Sequence, residues 1–191
     1  MGLISLITGG IMDANKAIKQ NKAQNDDNVQ TVVVQNRFSI DVPSFLEPTT
    51  RFGEDASVQY WNRTLDVSFQ VIDEPKQEFV ETLEELKDNL PHLGKGDSIL
   101  DNMAAMVLSN FFDDIDRVEI GDYRNTKING LNAILLNAFQ KRTFLKDALY
   151  GSFAFVEGKK TLYQIIILSG GTSIPKLAEK LEKSIRSFKE L

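Results

Sequence analysis

The sequence predicts an α+β protein in which an antiparallel sheet of about six to seven strands is flanked by helices. Three observations carry that expectation. Four strand-like runs lie between Asp116 and Leu168 with no helical period among them. Two apolar stripes at helical spacing precede this group, ending at Leu90 and Phe111. One amphipathic helix closes the chain, ending Ser184-Ile185-Arg186-Ser187-Phe188-Lys189. Strands grouped apart from helices, instead of alternating with them, belong to the α+β class.

The elements follow in order. Gly2 to Met12 (GLISLITGGIM) carries no charged side chain. Leu3, Ile4, Ile7, Ile11, Ala14 and Ile18 fall at helical spacing, so residues 2–22 read as an amphipathic helix. Gly9-Gly10 interrupts it at about 1 kcal/mol per glycine relative to alanine. The polar stretch from Gln20 to Asn28 reads as a linker. The chain thus divides into a tail, residues 1–28, and one α+β domain, residues 29–191.

Val32 to Gln35 could pair as a short strand and is not counted among the three opening strands. Phe38, Ile40 and Val42 alternate with Ser39 and Asp41, which marks a half-buried strand ended by Pro43. Ser57 to Trp61 and Thr64 to Ile72 read as a hairpin turning at Asn62-Arg63. A first helix starts near Asp73-Glu74-Pro75, where acids and proline suit a helix N-terminus. Its stripe is Phe79, Val80, Leu83, Leu86 and Leu90, and Pro91 stops it. A second helix, capped by Asp97, buries Ile99, Leu100, Met103, Met106, Val107 and Phe111.

Asp116 to Ile128 turns at Asn129-Gly130, a strong hairpin signal because both residues tolerate positive φ. Leu131 to Gln140 returns. Asp147 to Val156 turns at Glu157-Gly158-Lys159 into Thr161 to Leu168. Ala133–Leu136 and Ile165–Leu168 are apolar on both faces, so their strands sit centrally with layers above and below. The final helix starts at Ser173 and places Ile174, Leu177, Ala178, Leu181, Ile185 and Phe188 on one face.

The order is therefore β-β-β-α-α-β-β-β-β-α. With that order, the chain resembles the PsbP/Mog1-like family at the level of fold, over roughly Gln30 to Leu191. Arg37-Phe38-Ser39-Ile40-Asp41-Val42-Pro43 resembles that family's opening strand and proline. Gly158-Lys159-Lys160-Thr161-Leu162-Tyr163 is similar to its last hairpin, and Ile185-Arg186-Ser187-Phe188-Lys189 to its final helix. The resemblance implies an antiparallel sheet flanked by helices, used mostly as a non-enzymatic accessory module. It carries over no binding residue.

Composition narrows the chemistry. The 191 residues hold 42% hydrophobic and 26% charged side chains, an ordinary globular balance. A folded part of about 160 residues buries roughly two-thirds of its unfolded surface. A net charge of −5 speaks against a nucleic-acid binder, which needs a basic footprint. The lack of cysteine removes disulfides, thiol nucleophiles and zinc-thiolate sites. An export signal would carry its bases ahead of the apolar run. Here they follow, at Lys16, Lys19 and Lys22, so the expected location is the cytoplasm.

Few residues carry site chemistry. The one histidine, His92, falls in a loop between helices. Asp113, Asp114, Asp116, Glu119 and Asp122 form an acidic cluster without EF-hand spacing. If residues 116–122 are a strand, Asp116 and Asp122 share a face while Glu119 points away. The cluster reads as a solvated edge or as a patch for a basic partner. Gly170, Gly171, Thr172 and Ser173 join a strand to a helix N-terminus and could hold an anion, although the pattern is neither a P-loop nor a dinucleotide fingerprint. Tyr60 and Trp61 face opposite sides of the sheet, and an exposed Trp61 could anchor a partner.

The expected function is a non-enzymatic interaction or accessory module with a protein partner, no cofactor, no metal and no nucleic acid. Two alternatives stand beside it. In one, Leu3, Ile4, Ile7, Ile11 and Ile18 tether the module to a membrane surface or a larger assembly, or mediate self-association. In the other, carboxylates alone support catalysis.

Overall fold

The structure is a computed structural model and describes residues 18, 19, 21–23, 25–86, 98–112, 118–141, 148–170 and 173–191, with residues 86, 141 and 173–176 as backbone alone. Five strands come first: β1 (Val29–Val34), β2 (Phe38–Pro43), β3 (Glu47–Pro48), β4 (Ala56–Asn62) and β5 (Val67–Pro75). Two helices follow, α1 (Lys76–Leu86) and α2 (Ile99–Phe111). Then come β6 (Val118–Ile128), β7 (Leu131–Lys141), β8 (Ala148–Glu157), β9 (Thr161–Gly170), α3 (Ser173–Ser187) and β10 (Lys189–Glu190).

The strands form two sheets. The larger has seven strands in the order β3-β4-β5-β9-β8-β7-β6, and the smaller has three in the order β1-β2-β10. Neighbours pair antiparallel throughout. The class and the seven-stranded count match the expectation. The second sheet was not legible, because it needs the last residues of the chain to reach its opening strands: Lys189 pairs with Ser39 and Glu190 with Phe38.

The central strands are apolar on both faces because they separate two cores. On one side, β2 and α3 cover the large sheet: Phe38, Ile40, Leu177, Leu181 and Ile185 pack with Phe69, Leu135, Ala154, Ile165 and Ile167. On the other side, α1 and α2 bring Phe79, Leu100, Met103 and Val107 against Ile134, Leu136, Phe153, Phe155 and Ile166. Alternate residues of β7, β8 and β9 thus feed opposite layers. Burying each such side chain contributes about 1.5–3 kcal/mol. Ala23 is also buried in the first core, so packing reaches back into the stretch expected to be linker.

Several local expectations shift. Asp73-Glu74-Pro75 stays in β5, paired with Tyr163, Leu162 and Thr161, and the helix begins one residue later. The N-cap of α2 is Ser98, whose side chain accepts from Asp101 N while the Asp101 carboxylate accepts from Ser98 N. That reciprocal box satisfies two orphan donors at once, which a preceding aspartate could not do. The β4–β5 turn spans residues 63–66 and not Asn62-Arg63 alone: Asn62 Oδ1 accepts from Thr64 N at 3.1 Å and Leu65 N at 3.0 Å. Ala178, expected on the apolar face of α3, is exposed.

Candidate interaction surface

β6 is the outer edge of the large sheet, and its register is broken once. Glu119 opposes Phe139 and Ile120 opposes Ala138, but the next partners are Tyr123 and Leu136. Gly121 and Asp122 therefore both stand opposite Asn137. This bulge inverts the alternation. Before it, odd-numbered residues face α3; after it, even-numbered ones do. Glu119 and Asp122, expected on opposite faces, consequently line the same side of the sheet.

That side is a groove between α3 and the sheet face of β6–β8. A wider part of about 350 Å³ is lined by Glu119, Ile120, Phe139, Tyr150 and Gly151. A narrow part of about 50 Å³ is lined by Asp122, Arg124, Leu135, Glu182 and Ile185. Asn137, Ser152 and Ala178 line both. Asn137 and Ser152 are cross-strand partners, and Ser152 Oγ donates to Asn137 Oδ1 at 2.7 Å. The Phe139 and Tyr150 rings, also paired in register, lie 4.7 Å apart.

Ion pairs organise the narrow end. Arg124 Nη2 donates to Glu182 Oε1 at 3.2 Å, and Arg186 reaches the same oxygen through Nε at 3.0 Å and Nη2 at 2.8 Å. Arg124 Nε sits 2.9 Å from Asp122 Oδ2, close enough for charge attraction but without hydrogen-bond alignment. Hydrogen bonding from Arg186, aided by the Arg124 charge, holds the Glu182 carboxyl below its ordinary range against a smaller opposing effect of burial. These pairs are half-exposed, so they position side chains more than they stabilise the fold.

The remaining candidates lie elsewhere. Asp113, Asp114, Asp116 and His92 lie outside the described residues, as do Leu3, Ile4, Ile7, Ile11, Gly171 and Thr172. Ile18 is described and is 65% exposed. Gly170 ends β9 opposite Leu149, and Ser173 opens α3. The Asp66 carboxylate packs against Gly170, so an anion in that loop would meet a negative charge. Trp61 is half-buried on β4, with Phe52 edge-on at 6.4 Å and Arg51 Cζ 4.6 Å from the ring centroid. Five strand spacings separate β4 from β6, about 24 Å, so the structure does not join Trp61 to the acidic edge.

Sequence reading missed Phe139, Tyr150, Asn137, Ser152, Arg124 and Glu182. One signal was present: Asn137 and Ser152 are polar interruptions in runs that are otherwise apolar or aromatic. Among the described residues, no three or more histidine and carboxylate groups are placed to hold a metal ion. No helix among them is long and apolar enough to cross a membrane.

No family model and no curated protein matches the sequence. Solved structures do match its shape. The Ran-binding protein Mog1p of Saccharomyces cerevisiae superposes with a TM-score of 0.56 at 12% identity, covering 85% of this chain and 95% of Mog1p. Cyanobacterial PsbP (CyanoP) of Synechocystis sp. PCC 6803 superposes with a TM-score of 0.55 at 8% identity, covering 86% of this chain and 94% of that protein. At these identities the likeness is one of architecture, and it spans nearly the whole of both comparison proteins. Two separate sheets, a helix pair on one face and a closing helix on the other thus make this chain a protein of the PsbP/Mog1-like fold.

Proposed function

We propose that the protein is a non-catalytic interaction module that takes a protein partner in the groove between α3 and β6–β8. The observation that carries this reading is the lining of the groove. Aromatic faces at Phe139 and Tyr150 lie beside charges of both signs at Glu119, Asp122, Arg124 and Glu182. Apolar anchors surrounded by polar groups suit protein recognition, where a few aromatic contacts carry most of the affinity and charges select the partner. The adjoining edge strand adds Ile120, 45% exposed. Mog1p, one of the proteins sharing this architecture, is a Ran-binding protein, which supports a binding role for the scaffold without naming the partner of this chain.

The test blocks the groove from its rim. Ala178 is exposed on α3 and lines both parts of the groove, so Ala178→Arg fills it without touching either core. Affinity capture with the full chain, followed by titration of the recovered partner, should show at least a tenfold weaker complex for Ala178→Arg. Asn125→Arg, at an exposed position of β6 on the opposite face of the sheet, should leave binding intact. Equal affinity for the wild type and Ala178→Arg would remove the groove as the binding surface.

A further inference from the structure

We propose that β1 is a self-pairing edge: two copies of the chain join antiparallel through Val29–Val34. Two three-stranded sheets then become one of six strands. This inference stands apart from the groove and uses the opposite sheet.

A strand at the edge of a sheet offers a row of unpaired N–H and C=O groups, and proteins block such edges with charge, proline, bulges or shortness. The other edges here carry those devices. β6 has the bulge at Gly121-Asp122 and the charged residues Glu119, Asp122, Arg124 and Lys127. β3 is the two residues Glu47 and Pro48, and β10 is also two residues. β1 has none. From Asn28 to Asn36 the sequence NVQTVVVQN holds no charge, no proline and no glycine. It pairs with β2 in unbroken register, and with no other strand among the described residues. Val29 and Val33 are 54% and 57% exposed.

The backbone fixes how a second copy fits. Ser44 N donates to Asn28 O at 3.0 Å, and Asn28 lies opposite Ser44 by continuation of the β1–β2 register. Hydrogen-bonded and non-bonded pairs alternate in an antiparallel ladder. The residues that turn their N–H and C=O toward β2 are therefore Gln30, Val32 and Val34. Val29, Thr31 and Val33 turn theirs outward. A two-fold axis through Thr31 sets Thr31 against Thr31 of the second copy and Val29 against its Val33. All three such pairs are hydrogen-bonded pairs, so the register satisfies every outward group of Val29, Thr31 and Val33. It also stacks valine on valine on one exposed face, a favourable cross-strand pairing.

Charge agrees with the same register. Asp26 and Asp27 precede β1 and Arg37 follows it. The two-fold sets Asp26 and Asp27 of each strand opposite the uncharged Asn36 and Gln35 of the other, so no like charges are opposed, while Arg37 and Asp27 keep their own partners Asp73 and Lys180. The surface is self-complementary, as an isologous contact requires.

The absence of native cysteine makes the test direct. A hydrogen-bonded antiparallel pair separates Cα atoms by about 5.5 Å, within reach of a disulfide. Thr31→Cys in the full chain should form a cross-linked dimer under mild oxidation far faster than Glu119→Cys on the other edge. Val33→Lys, at an exposed site that does not enter the core, should shift the protein to monomer by sedimentation equilibrium, with at least a tenfold higher dissociation constant. Combined with Thr31→Cys it should abolish the rapid cross-link. The proposal is overturned by a full chain that sediments as monomer at micromolar concentration with Thr31→Cys no faster than Glu119→Cys. A dimer that Val33→Lys leaves unchanged overturns it equally, and points to another contact such as residues 1–22.

Discussion

Tyr123 on β6 donates its phenolic hydroxyl to the Asp101 carboxylate in the first turn of α2. The same carboxylate accepts from Ser98 N at 3.0 Å and from Ser98 Oγ at 2.7 Å. One side chain therefore closes the helix cap and ties the helix layer to the edge of the sheet. Burial pushes the Tyr123 hydroxyl up to about 12, and the Asp101 carboxylate adds to the shift. Burial and the Glu190 charge likewise raise Tyr163 to about 12. Both folded values lie above the unfolded value near 10, so their contribution is fully present below that pH and is lost as pH rises from about 10 through 12. An ultraviolet titration of the folded protein should show two phenols, Tyr123 and Tyr163, ionising near pH 12. Tyr123→Phe should remove one of them; an unchanged late step in that variant would refute the assignment.

The cap itself makes a second prediction. Ser98→Ala removes one partner of the reciprocal box and should cost about 1 kcal/mol, the usual worth of such a cap. Asp97→Ala leaves Ser98 and Asp101 in place and should cost much less. Urea denaturation of the two variants separates them, and equal losses would return the capping role to Asp97. Burial opposes ionisation of Asp101, but the hydrogen bonds from Ser98 and Tyr123 outweigh it and hold its carboxyl below the ordinary range. The stability it contributes is present above about pH 4 and fades as pH falls through the lowered value.

Why the fold was readable and the surface was not follows from the range of the signals. Asn129-Gly130 announces its hairpin locally, and both residues do hold positive φ, 46° and 88°. The apolar runs at Ala133–Leu136 and Ile165–Leu168 state that both faces are covered, and two cores cover them. The bulge at Gly121-Asp122 has no comparable signature. It depends on how eleven residues of β6 accommodate Asn137 across the pair. Glu182 and Arg124 meet only because α3 crosses that face, 58 residues away in sequence. A periodicity argument sees neither, so Glu119 and Asp122 could be named but not placed together.

Gly151 tests how tightly the second core closes on the sheet. A Cβ there would run into the ring of Phe153 and come within 3.3 Å of Leu168 Cδ2. The aromatic ring is itself fixed between Phe111, Phe112 and Phe155. Gly151→Ala should therefore destabilise by about 1–3 kcal/mol, the range for overpacking. At Gly121 a Cβ would meet only ordinary contacts at 3.7 Å, so Gly121→Ala should cost well under that. Paired denaturation curves decide the matter. A neutral Gly151→Ala would show that Phe153 swings aside freely.

Asn129 joins the central hairpin to the end of the chain. Its Nδ2 donates to Phe188 O at 2.6 Å and to Arg186 O at 3.3 Å. These carbonyls lie at and just past the last turn of α3, where no intrahelical donor remains. The hydrogen bonds hold Phe188 in place while its ring packs on Tyr163 and Phe38 at 4.7 and 5.5 Å. Two substitutions separate backbone from side chain. Asn129→Gly keeps the positive φ and removes the donor, so it should cost about 1 kcal/mol, the net worth of a hydrogen bond. Asn129→Asp keeps the shape but aims a carboxylate at two carbonyl oxygens. Repulsion raises the introduced group's pKa in the folded state, so its penalty is relieved at low pH and grows as pH rises. Asn129→Asp should thus be less stable than Asn129→Gly at pH 7 and approach it near pH 4. The same order at both pH values, with no convergence, would mean that the amide does not donate to the end of α3.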